Sequence, residues 1–508
     1  MTIYYQFKKY MACIMIITSG LVLSSCDMET KVYDELTTDN FPQNEEQLLR
    51  TIAPAYSAMR GYADAVWASQ TVTTDEGIVV TRGSDWNNGG YYRRLGTHTY
   101  NPSPSGSPEN VWNFCVNGIA QVNQILYQLS NISLEFEGKD KKIAELKTVR
   151  AFFYWVMLDN YRHIYIKTDF LDTSAPQQVS PQEAFDFIES EIKDNIDLLE
   201  DEPSANNYGL MTQSAAHVLL AKLYLNGEVY TGKSYWQECI NECETIINKN
   251  DYALSENFMD NFKEDNTSSV ETILAIPFDR VYATGFSHHV YTLHYNSGET
   301  YGLSYAPWNG YSTLRDHYDL FADGDQRKQI FLVGQQYAAD GTALTTRDGK
   351  PLVFTLDYTS TDPWNELGTG GVAENEGVRV LKYVPGTGTG RHMGNDFVVF
   401  RYADILLMKA ECLVRLNRNN EALPFINQVR ERALAGSSYN SISLEELYKE
   451  RRREFTWEGM AKQDMIRFGK YEGTWTYHPT GSDESKRIFP IPSTVISLNP
   501  SLTQNAGY

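Results

Sequence analysis

Residues Phe400 to Glu411 read FRYADILLMKAE, and the fold turns on this stretch. From Ala403 to Leu416 the chain is richly apolar and then breaks at Asn417. A helix that is apolar on most of its surface must be covered on most sides. Its small residues, Ala403 and Ala410, let neighbouring helices approach closely. Its embedded charges, Arg401, Asp404 and Glu411, are too costly to bury alone. They are expected to pair at helix interfaces, with Arg451 to Arg453 taking part, in a fold-specifying ion network. Just downstream, Ala422, Phe425, Ile426, Val429 and Ala433 recur at helical spacing and predict a partner helix, with Pro424 in its first turn. Ser443 and Glu446 form the opening of a third helix.

The same arrangement occurs upstream. Met211 to Leu225 is apolar nearly all round, Lys222 being its only full charge, and Asn226-Gly227 stops it. A second helix is expected from Ser234, its cap completed by Gln237, with Trp236, Ile240, Cys243 and Ile247 on one stripe. Each pair has about the ~34-residue length of a tetratricopeptide unit. The pairs lie far apart in sequence, so a continuous array is not expected. Further helices are predicted over residues 141–160, with Leu146, Val149, Phe153 and Met157 on one face, and after Ser180-Pro181-Gln182-Glu183, a capping box with Pro at the first helical position. Residues 251–400 differ, being rich in Gly, Asn, Thr, Tyr and Asp. Val270 to Pro277 and Leu352 to Leu356 read as short strands there, and Gly368 to Gly371 and Pro385 to Gly390 as loops. Thr81 to Gly106 is a similar long loop, of a length that is uncommon unless functional. The fold class is therefore mostly α, with tetratricopeptide-like helix pairs and a loop-rich irregular region.

The 508 residues carry a formal net charge of −21. Such a field repels nucleic acid and anionic surfaces, and it favours neutral ligands. With 34 Tyr and 9 Trp, the chain holds more rings with a polar edge than a core needs, which fits a binding surface. At the N-terminus, Lys8 and Lys9 precede a mostly apolar run from Met11 to Leu23 that is too short to span a bilayer. Residues 1–25 read as a secretory leader. Leu23-Ser24-Ser25-Cys26 matches a lipobox, which makes Cys26 the lipidated first residue of a mature chain 26–508 anchored to a membrane by acyl chains. Cys115, Cys239, Cys243 and Cys412 lack metal-ligand spacing and read as buried free thiols.

The C-terminal third resembles the SusD/RagB family. The resemblance is carried by Phe400 to Glu411, Ile426 to Arg430, Glu450 to Phe455 with Glu458-Gly459, Asp464 to Gly469, Phe489 to Pro492, Leu498 to Pro500 and Asn505 to Tyr508. Leu146 to Tyr161 and Asp325 to Arg327 are similar to upstream family elements. Ala506, Tyr161 to Ile164 and Thr456-Trp457 depart from the family pattern. The resemblance implies an N-terminal SusD-like part over about 26–230 and a C-terminal part over about 260–508, built as an α-α superhelix. It also implies a lipoprotein on the cell outer membrane that sits as a lid on a SusC-like TonB-dependent β-barrel and delivers a glycan without chemistry or cofactor.

A sugar site wants aromatic platforms beside amide, carboxylate or guanidinium groups. Three segments qualify: Ser84 to Arg94, with Trp86, Asn87, Asn88 and Tyr91; Tyr301 to Tyr311, with Trp308 and Tyr311; and Asp362 to Asn365 around Trp364. Asp39-Asn40 is a weaker candidate. Arg93, Arg94 and Arg391 could draw in anionic groups. The alternatives are a peptide-binding receptor or adhesin of the same fold and, more remotely, a glycoside hydrolase, whose paired carboxylates spacing alone does not reveal. His288, His289 and His294 cluster without a metal motif, and no metal is expected. Gly386 to Gly390 lacks the lysine of a phosphate loop.

Overall fold

The computed structural model describes residues 45–132, 138–364 and 371–508. Cys26, the leader, Asp39-Asn40, Asn365 and Gly368 to Gly370 lie outside them. The structure is mostly helical. Helices α1 (Glu45–Met59), α2 (Ala65–Val72), α3 (Glu109–Ser130), α4 (Lys139–Tyr161) and α5 (Pro181–Lys193) form one half of the scaffold. The other half is built from α6 (Gln213–Leu225), α7 (Trp236–Lys249), α8 (Tyr402–Arg415), α9 (Asn419–Ala433) and α10 (Leu444–Glu454).

Local signals placed most of these helices. Ser180 accepts from the Glu183 N–H while the Glu183 side chain reaches back, a full capping box with Pro181 at the first position. Ser443 caps α10 through the Glu446 N–H. Two ends differ from expectation. Helix α7 begins at Trp236, with Tyr235 and not Ser234 at the N-cap position and no side-chain cap; Tyr235 stacks on Phe185 at 4.7 Å. Pro424 lies in the second turn of α9, since that helix already starts at Asn419, and its missing N–H removes one helical bond.

The two helix pairs do form a continuous array. Helix α6 packs on α7, α7 on α8, and α8 on α9. Residues 250–401, between the pairs, loop out and return. What drives the join is visible at Lys222. This one charge on an apolar helix is buried, and its ammonium meets the Asp404 carboxylate of α8 at 2.6 Å. A carboxylate partner offsets much of the cost of burying an ammonium. The four cysteines are free and buried, as expected.

Two short antiparallel pairings hold the loop region to the helices. Strand β1 (Ile78–Val79) pairs with β3 (Tyr311–Ser312), Val79 opposite Tyr311. Strand β2 (Thr272–Ile276) pairs with β4 (Phe397–Arg401), and Arg401 ends that strand where α8 begins.

Lys462, like Lys222 and Lys382, is buried; it donates to the Arg487 carbonyl at 2.6 Å and lies 4.3 Å over the Phe489 ring. Burial pulls its pKa from 10.5 down to about 7. Above that pH the folded chain has released a proton that the unfolded chain still holds. Stability should therefore rise with pH over about pH 7 to 9, by up to ~1.4 kcal/mol per unit from this group. In Lys462→Met that slope should shrink in denaturant titrations at successive pH values, most of all between about pH 7 and 8, since buried Lys382, lowered to about 8, contributes above that; an unchanged slope would show that Lys462 is not its source.

Candidate functional site

The site is built where β1 and β3 bring two distant loops together. Trp86 follows β1 and Trp308 precedes β3. The Trp86 indole N–H donates to the Trp308 carbonyl at 2.7 Å across 222 residues of sequence, and the rings lie 6.2 Å apart. Beneath them runs a stack that starts in the core. His288 lies on Trp67 at 3.7 Å, Trp67 on Tyr311 at 5.2 Å, and Tyr311 on Tyr291 at 5.5 Å. Tyr291 in turn meets Trp308 at 5.7 Å. Trp86 and Trp308 are half-buried, so they are anchored below and open above.

Backbone strain marks the same place. Trp86 has φ 67° and Asn309 φ 55°. A bulky residue with positive φ is a real outlier, and such strain gathers at functional sites. Asn309 is locked by the buried Arg379 guanidinium, which donates to its side-chain oxygen at 2.6 Å and 3.0 Å, while its own amide donates to the Glu374 carbonyl. Gly310 is required by close approach, since a Cβ there would fall 2.2 Å from the Trp86 indole. Gly310→Ala should therefore push Trp86 out, which would appear as a shifted indole emission and weaker ligand binding. Unchanged emission and affinity would mean the indole has room to spare.

Beside the rings opens a cleft of about 300 Å³ lined by Asn88, Tyr91, Tyr92, Ser105, Ser107, Glu109 and Asn110. Tyr92 joins it to the platform, 5.9 Å from the Trp86 ring. The Asn87 side chain caps the turn by accepting from the Gly89 N–H. The Asp64 carboxylate accepts from the Tyr291 hydroxyl, and desolvation raises its pKa. The Arg391 guanidinium lies 5.2 Å over the Trp308 ring.

The structure thus brings Trp86, Asn87, Asn88, Tyr91, Trp308 and Tyr311 into one neighbourhood. Tyr311 is buried under the platform and supports it. Trp364 is not brought to the opening. It packs into a small core with Ile78, Val80, Leu314, Tyr358 and Val372. Arg391 was named in the sequence only as a collector of anionic groups, whereas Asp64, Tyr291 and the Ser107 to Asn110 part of the wall were missed. Only Tyr291 carried a signal, an aromatic among the histidines. Those histidines do not converge: His288 bonds the Ala63 carbonyl, His289 the Gly390 carbonyl and His294 the Glu374 carboxylate. Burial lowers their pKa values to about 3, 4 and 4. Among the described residues no group of three His, Cys, Asp or Glu side chains could hold a metal ion, and no helix is long and apolar enough to cross a membrane.

Helix pairs stacked into a scaffold that carries a loop-built aromatic platform define a class of α-α superhelical proteins. The chain belongs to the SusD family: that family's model matches residues 250–508, and a second, described as starch-binding associating with outer membrane, matches residues 28–225. It is 25% identical over 415 residues to the starch-binding protein SusD of Bacteroides thetaiotaomicron, covering 72% of each chain. A solved laminarin-binding SusD-like protein superposes with TM-score 0.74 at 22% identity, covering 92% of this chain and all of that one. Surface glycan-binding protein A from Bacteroides thetaiotaomicron, solved with laminarihexaose, superposes with TM-score 0.68 at 17% identity, covering 91% and 99%.

Proposed function

We propose that this chain is a lipid-anchored protein of the outer membrane that captures a neutral glycan at the Trp86–Trp308 platform and passes it, unmodified, to a SusC-like TonB-dependent barrel. The supporting observation is the platform itself. Two half-exposed indoles are held rigid by a ring stack, beside a polar cleft that presents amide, hydroxyl and carboxylate groups. Sugar rings offer an apolar C–H face to stack on and hydroxyls for such a rim. Relatives named for starch and laminarin binding share the fold, and the overall charge of −21 disfavours acidic polymers. Acylation at Cys26 would provide the tether.

Calorimetric titration of chain 26–508 with laminarin, starch and a peptide pool tests the capture step. Binding of a neutral polysaccharide without new reducing ends is expected. Binding of peptides alone would point to the receptor reading, and release of reducing ends lost with one carboxylate change would point to a hydrolase. Mass spectrometry of the protein isolated from its own cells should find an acylated Cys26, and a barrel should co-purify with it.

A further inference from the structure

Three arginines near the platform were open candidates for ligand contact, and the structure separates them. Arg93 pairs with Asp362 at 3.0 Å. Arg94 spends its guanidinium on the Gly89 and Ser105 carbonyls at 2.9 and 2.7 Å. Arg280, across the same loop, is bonded to Glu264. Arg391 has no hydrogen-bond or ion-pair acceptor among the described residues, and no other arginine there is in that position. In a chain with 65 acidic residues against 44 basic ones, an unengaged guanidinium beside the platform is unusual.

Arg391 is nevertheless not loose. Its carbonyl accepts from the Ser287 hydroxyl at 2.9 Å, and the preceding Gly390 carbonyl accepts from His289 at 2.9 Å. The Ser304 N–H bonds the Thr389 carbonyl at 2.9 Å, and the Gly388 N–H bonds the Gly302 carbonyl at 2.8 Å. The backbone of this loop is therefore pinned to the short helix His288–Thr292, which carries Tyr291, and to the chain leading to Trp308. The guanidinium rests on the Trp308 ring with its donors facing solvent. A planar fork of N–H donors held on a ring suits a pair of acceptors side by side.

Resting on the glycan reading above, we propose that Arg391 is a specificity-determining contact of this site. It donates to two vicinal hydroxyls of a neutral sugar ring held against the Trp86–Trp308 platform. Asp64, bonded to the Tyr291 hydroxyl beside Arg391, and the acidic field of the whole chain set hydroxyls above carboxylates as its acceptors.

The test is titration calorimetry of chain 26–508 against laminarihexaose, maltohexaose, xylohexaose and hexagalacturonate. Arg391→Ala should weaken the best-bound neutral hexasaccharide by about tenfold or more, the size expected for hydrogen bonds to a charged donor. Arg391→Lys, a point donor in place of a fork, should recover only part of that. The melting midpoint should not move, because the side chain is exposed. Arg391→Ala binding within about twofold of the parent, or tighter, while Trp86→Ala loses binding, would overturn this proposal and leave the glycan reading standing. Hexagalacturonate bound best, and lost in Arg391→Ala, would overturn the hydroxyl assignment. A parent chain that binds none of the four removes the glycan reading and this proposal with it.

Discussion

Glu454→Gln should destabilise the chain by ~3–5 kcal/mol, the usual cost of removing one partner from a buried charge network. Glu454 is fully buried. Its carboxylate receives Arg401 at 2.6 Å and Arg327 at 2.9 Å and is bonded to Arg432 as well. Arg401 also holds Glu271 at 2.6 Å and Glu458 at 2.7 Å. This network ties β4, α9, α10 and the turn after α10 together. The amide of Gln keeps the shape but leaves three buried guanidiniums short of one negative charge. Burial alone would push the Glu454 carboxyl up, yet Arg432, Arg401 and Arg327 overcome it and hold its pKa well below the usual value. Glu450 and Glu411 are held in the same way at about 2, against 4.5 unperturbed. A carboxyl with a depressed folded pKa stabilises fully above its unfolded pKa and loses that contribution as the pH falls through the folded one. Stability should therefore fall between about pH 4.5 and 2, and the variant should lose less than the parent over that window. Denaturant midpoints across pH measure both. A loss under about 1 kcal/mol at neutral pH would show that the network is dispensable.

Trp86→Ala should lower glycan affinity by ~30-fold or more, the effect of truncating an aromatic hot spot worth at least ~2 kcal/mol. The substitution removes a stacking face, the indole bond to the Trp308 carbonyl and the wedge against Gly310. Its left-handed backbone then loses the ring contacts that hold it, so Trp308 should loosen too. Trp86→Phe keeps a ring but not the N–H donor, and it should retain part of the affinity. Unfolding should stay cooperative in both variants, because the stack from His288 through Tyr311 lies below and does not depend on Trp86. If Trp86→Ala binds like the parent, the ligand sits elsewhere, and the 300 Å³ cleft at Asn88 and Glu109 becomes the first place to look.

What was legible in the sequence was local. The Ser180 and Ser443 caps, the apolar faces of α4, α6 and α8, and the break at Asn417 all arise from contacts a few residues apart, so periodicity and end signals reveal them. The buried charges of the 400–411 and 450–454 segments were legible as well, because ionised groups inside apolar helices demand partners. Nothing local encoded the stacking of α7 on α8, which joins segments that the loop region separates. The Lys222–Asp404 pair from α6 to α8 and the Lys409–Glu244 pair from α8 to α7 accompany that join, and none of these partners is close in sequence. Nor did spacing show that Trp86 and Trp308 would meet while Trp364 turned inward. That outcome rests on the Val79–Tyr311 pairing and on which ring fits under which. Likewise, Arg93, Arg94 and Arg391 are equivalent as letters. Only the tertiary structure, by supplying acceptors to two and none to the third, decides which one keeps its donors open to solvent.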